Sequence, residues 1–157
     1  MFNGIGLLPF FNSDVGDDAL LPEVRRWRRA VATSDAILFC SLEYAGGLAG
    51  VLKNALEWLV GDVVTYQKPV AVINTAPHAH HADDSLRLIL KTMGVQLIEA
   101  ASISLELPRR HIDACAITAD AQLTQQLQGA LYALASIAGH TEKPFSESAK
   151  SIPGGFS

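Results

Sequence analysis

Several things are scarce in this chain, and each shortage closes a class of function. It has two cysteines in 157 residues, Cys40 and Cys115, and neither belongs to a CxxC pair. A disulfide framework cannot be built from them, and a reduced, cytoplasmic setting is the simplest expectation. Charged residues make up 18% of the chain and balance at −4. With a pI near 5.7 there is no basic field to draw phosphate backbones or anionic lipid, so neither nucleic acid nor membrane is an expected partner. No apolar run approaches the roughly 20 residues that span a bilayer. Met1 is followed by no basic region, and Gly4, Gly6 and Pro9 interrupt the apolar stretch there, so no signal peptide is expected.

What is plentiful is apolar surface, with 49% hydrophobic residues and a mean hydropathy of +0.22. A chain of this length can bury roughly two thirds of its unfolded surface in one core. One domain over residues 1–140 is therefore expected, with a well-covered sheet or a face buried against a partner. The stretch 141–157 mixes Ser, Lys, Glu, Pro and Gly without periodicity and is expected to be a flexible tail.

Between these limits, buried-type strands alternate with amphipathic helices. Pro22 to Thr33 opens on proline and glutamate and places Val24, Trp27 and Val31 on one face, which predicts a helix whose arginines, Arg25, Arg26, Arg28 and Arg29, form a solvated side. The run Ala36 to Cys40 predicts a strand covered on both faces, with Cys40 as packing. Leu48 to Val60 returns to helical spacing, Pro69 to Asn74 (PVAVIN) is a second buried strand, and Asp83 to Met93 is a helix ended by Gly94. Val95 to Leu105 is a third extended run, and Asp120 to Ala138 a long amphipathic helix. The alternation predicts an α/β fold with a parallel sheet and right-handed crossovers.

In such a sheet, ligands bind beyond the carboxyl ends of the strands. Two loops leave those ends. The first, Leu42 to Trp58, reads LEYAGGLAGVLKNALEW; its glycines let backbone approach a flat ring closely. Within its helix, Lys53 and Glu57 are four apart and form a weak surface pair. The second, Thr75 to Asp84, reads TAPHAHHADD, where Asp83 or Asp84 would cap the helix that follows. Three histidines and two aspartates there also admit a metal reading, which the spacing and the lack of a nearby cysteine disfavour; no metal is expected.

At the first loop the chain resembles the flavodoxin-like NAD(P)H-dependent FMN reductases, which read PEYNGSxPGxLKNAxDW here. It matches at Glu43, Tyr44, Gly46, Gly50, Leu52, Lys53, Asn54, Ala55 and Trp58, and departs at Leu42, Ala45, Gly47 and Ala49. Leu8 to Asp14 resembles the family's LPxxNxD segment, and Pro69-Val70-Ala71 its KPV strand start. The resemblance implies a flavodoxin-like, doubly wound parallel sheet and hydride transfer from NAD(P)H through FMN to a flavin, quinone, nitro or azo acceptor. It implies cofactor contacts from Glu43, Tyr44, Ala45, Gly46 and Gly47, and from Thr75, Ala76, Pro77 and His78. The flavin carries the chemistry, so no catalytic side chain is expected. Family members also imply a homodimer or homotetramer.

The family's phosphate loop, GSxRxxS, follows its first strand, and no such segment occurs in these residues. Phe2 to Leu7 corresponds to the end of the family's second strand. The sheet is therefore expected to be incomplete at its N-terminus, in a truncated or mis-started member, and the chain alone is expected to bind FMN weakly. A non-catalytic remnant serving as an assembly or regulatory subunit is the alternative reading.

Overall fold

A computed structural model describes residues 1–60, 63–75, 78, 80–107 and 113–139. The expected tail, 141–157, lies outside the described residues, as do Ala76 and Pro77. Four parallel-paired strands form the main sheet: β1 (Ile37–Ser41), β4 (Pro69–Asn74), β5 (Gln96–Leu97) and β6 (Ile103–Ser104). A two-stranded antiparallel hairpin, β2 (Glu43–Tyr44) with β3 (Gly47–Leu48), stands apart. The helices are α1 (Pro22–Thr33), α2 (Gly50–Glu57), α3 (His81–Thr92), α4 (Ala114–Ala119) and α5 (Ala121–Ala138).

Strand β4 is the centre of the sheet. β1 runs along one edge, with Ile37 opposite Val70 and Ser41 opposite Asn74; β5 and β6 share the other. All six residues of β4 are buried, as expected for a parallel strand covered on both faces. On one face Val70 and Val72 meet Phe39 of β1, Leu52 and Leu56 of α2, and Leu86 and Leu90 of α3. On the other, Ala71 meets Leu134, and Ile73 meets Leu123, both from α5. Each of the larger side chains contributes about 1.5–3 kcal/mol through burial.

α1 packs outside α2, where Val24, Trp27 and Val31 join Ala55, Trp58 and Leu59. Polar contacts fix its docking. The Trp27 indole donates to the Ala55 carbonyl at 2.8 Å. The Lys68 ammonium donates to the Ser34 carbonyl at 2.6 Å, placing a cation at the negative end of the helix dipole. The arginine face is less uniformly solvated than expected: Arg28 is half-buried, donates to the Trp58 carbonyl at 2.9 Å and pairs with Asp17 at 2.7 Å.

Several expectations are corrected. β1 is covered on one face, not two: Phe39 is buried, while Leu38 and Cys40 are exposed. The reason is position, because α5 packs against β4 and β1 has one ladder partner among the described residues. What burial Cys40 retains pushes its thiol up from the ordinary value, which keeps it a poor nucleophile. Residues 5–7 form a single 3₁₀ turn rather than strand, since no described strand lies alongside to pair with them. The third extended run is broken into β5 and β6 by a turn at Glu99–Ala101, with Ala101 fully buried. There the Ser102 hydroxyl accepts from the Val72 amide at 3.1 Å and donates to the Ile98 carbonyl at 2.9 Å.

Candidate functional site

Beyond the carboxyl ends of β1 and β4, where a parallel sheet offers a crevice to ligands, the β2–β3 hairpin and α3 pack together. The hairpin has a two-residue tip, Ala45 and Gly46, with φ of 49° and 72°. Positive φ at both central positions is what a type I′ turn requires, and that turn matches the twist of paired strands. The tip is exposed and so is Tyr44. A Cβ added at Gly46 would meet nothing within 4 Å, so the space over the turn is open.

Ala45 is strained here, because a Cβ disfavours the left-handed region and nothing in its side chain compensates. Asn tolerates that region. Ala45→Asn should therefore raise stability by about 0.5–1 kcal/mol, a melting shift of about 1–4 °C. A fall in melting temperature would contradict the turn geometry.

The second wall begins where β4 ends. Asn74 is buried, Thr75 half-buried and His78 exposed. α3 starts at His81, two residues before Asp83, and no side chain of its own caps it. Neither Asp83 nor Asp84 takes the capping role expected of them. Instead the carboxylate of Glu43, on the hairpin, accepts from the Ala82 amide at 3.0 Å. Asp83 turns to Arg87, whose Nε lies 2.7 Å away, and Arg87 reaches on to Glu99 at 2.8 Å. Partial burial alone would lower the Arg87 pKa, but the hydrogen bonds and charges of Asp83 and Glu99 outweigh it and raise it overall. The other oxygen of Asp83 is buried with no partner among the described residues, beside a cavity of about 10 Å³ lined by Ser41, Asn74 and Leu86, among others. That is the space of one water.

Of the residues expected to contact a cofactor, the structure brings Glu43 to Gly47 together at the hairpin. Glu43 faces the start of α3, not the open tip. His80 and His81 stand exposed at the start of α3. Among the described residues, no group of three or more His, Cys, Asp or Glu is placed to hold a metal.

The rest of the motif is structural. Asn54 accepts from the Phe11 amide at 2.8 Å and donates to the Pro9 carbonyl at 2.9 Å. The Trp58 indole donates to the same carbonyl at 2.9 Å, and Phe11 meets Trp58 edge-on, with ring centroids 5.1 Å apart. The LPxxN and LKNAxxW segments are thus two halves of one clasp. Lys53 and Glu57 pair at the surface, a contact worth a few tenths of a kcal/mol.

This is a parallel α/β domain of the flavodoxin-like kind, with a hairpin and a helix start facing each other at the ligand end of its sheet. Residues 2–107 match the family of the NADPH-dependent FMN reductase, and the chain belongs to that family. It is 43% identical over 51 residues to an NAD(P)H-dependent FMN reductase of Pseudomonas aeruginosa, covering 32% of this chain and 28% of that one. It is 32% identical over 120 residues to a 2-hydroxy-1,4-benzoquinone reductase of a Burkholderia species, covering 72% and 64%. The chain thus spans less than two thirds of the length of either curated relative. Among solved structures it is similar to the flavoenzyme NAD(P)H:(acceptor) oxidoreductase FerB from Paracoccus denitrificans. The TM-score is 0.63 at 30% identity, over 87% of this chain and 78% of that one. No helix among the described residues is long and apolar enough to cross a membrane.

Proposed function

We propose that this chain serves a flavin-dependent oxidoreductase that passes a hydride from NAD(P)H through FMN to a small acceptor, with quinones the favoured class. The observation that carries the reading is the coincidence of the family match with an open, glycine-tipped hairpin at the ligand end of the sheet. A quinone is favoured because the Burkholderia relative is named for a benzoquinone substrate.

The residues present fit the ring of a flavin. Open space over Gly46 lets a flat group approach the backbone, and the exposed Tyr44 offers an aromatic side wall. Ala45, Gly46 and Gly47 would hold one part of the ring, and Thr75 and His78 its other edge. Ala76 and Pro77, assigned to the same edge by resemblance, belong to this proposal on that ground alone. When bound, FMN supplies the two-electron chemistry that no side chain here offers. The chain's part is to position the ring, leave one side of it open to nicotinamide and acceptor in turn, and place the His78 dipole where charge develops. A homo-oligomer in the cytoplasm completes the proposal.

The test is oxidation of NADH and NADPH by the purified chain, with and without FMN and a benzoquinone. FMN-dependent oxidation that the quinone accelerates is the expected result. Equal rates with and without protein would overturn the reading.

A further inference from the structure

Glu43 stands where the family motif and the helix geometry meet, and its side chain does something the motif alone does not announce. Helix α3 has no capping side chain of its own. The first-turn amides of any helix need acceptors, and a negative charge there also answers the positive end of the dipole. For Ala82 that acceptor comes from 39 residues earlier in the chain, across the crevice. The bond is half-sheltered, with Ala82 buried and Glu43 half-buried. Asp83 and Asp84 share the same turn, yet neither replaces it: Asp83 is committed to Arg87, and Asp84 is exposed. The two walls of the crevice are joined by this contact.

We infer that Glu43 is a positioning residue, whose carboxylate clamps the start of α3 to the hairpin and so sets the width of the crevice for its ligand. The inference rests on the proposed flavin site for the identity of that ligand; the clamp itself does not. Its side chain is turned to the α3 amide. An acceptor oxygen at this position is what the clamp needs, and charge is secondary. Glu43→Gln keeps the oxygen, and Glu43→Ala removes it.

Two readouts on the full chain test this. Hydrogen exchange at the Ala82 amide, without flavin, should be about fivefold faster in Glu43→Ala, with Val70 and Val72 unchanged, and close to wild type in Glu43→Gln. Flavin affinity by fluorescence titration should weaken about fivefold or more in Glu43→Ala and be restored by Glu43→Gln. Unchanged Ala82 exchange in Glu43→Ala would overturn the clamp. Faster exchange with wild-type flavin affinity would overturn its positioning role and leave the flavin site standing. If wild type binds no flavin, the functional reading fails and the positioning role fails with it, whatever the exchange data show.

Discussion

Replacing Trp58 with alanine is expected to cost about 3–5 kcal/mol, a large share of the ~5–15 kcal/mol that holds a domain of this kind together. Trp58 is buried to 3% exposure in the cluster that binds α1 to α2. It is also half of the clasp on Pro9. Melting should fall by about 6–20 °C. Trp58→Phe separates the two roles. It keeps most of the packing and removes the indole donor, but Asn54 still donates to the Pro9 carbonyl, so no acceptor is orphaned. That variant should lose only about 1 kcal/mol. Thermal unfolding of both variants checks the account, and similar losses in the two would show that the hydrogen bond, not the packing, dominates.

Much of this fold was legible because it is written locally. Pro22 at the start of α1 and the spacing of Val24, Trp27 and Val31 mark a helix that ends where expected, at Thr33. PVAVIN is a strand over its full length, its β-branched residues between a proline and the polar Asn74 suiting a short buried strand. What was not legible depends on partners remote in sequence. The run at β1 looks as apolar as β4, but apolarity does not say whether a helix lies over each face. α3 begins earlier than its aspartates suggested because its cap arrives from Glu43. The hairpin strands are two residues each, too short to show a period, and their sign was the Ala45-Gly46 turn inside what read as a loop. α4 is six residues long and has no clear apolar face; its one signal was Asp113, which accepts from the Ala116 amide at 2.7 Å. The candidate site was visible through its motif, yet the motif did not distinguish residues aimed at the crevice from Asn54 and Trp58, which secure the scaffold behind it.

The second large effect is expected at Gly46. A side chain there meets nothing within the protein, so its cost to folding is the backbone conformation alone, and Asn is the residue that bears that conformation best after glycine. Gly46→Asn should therefore melt within a few degrees of wild type, about 1 kcal/mol or less of lost stability. The same side chain fills the space assigned to the flavin ring. Affinity should fall about 30-fold or more, some 2 kcal/mol of lost contact. Riboflavin is the informative companion ligand, because neither strand-to-helix connection at the crevice carries the glycine-serine-arginine pattern of a phosphate loop. FMN and riboflavin should bind the 157-residue chain with similar affinities, within about threefold, if ring contacts carry the binding.

The most direct test of the central claim, that the β2–β3 hairpin holds a flavin ring, is quenching of flavin fluorescence on titration with wild type and with Gly46→Asn. Saturable quenching of FMN and riboflavin by wild type is expected, and its loss in a variant that remains folded. Equal quenching by the folded variant, or none by wild type, would contradict it.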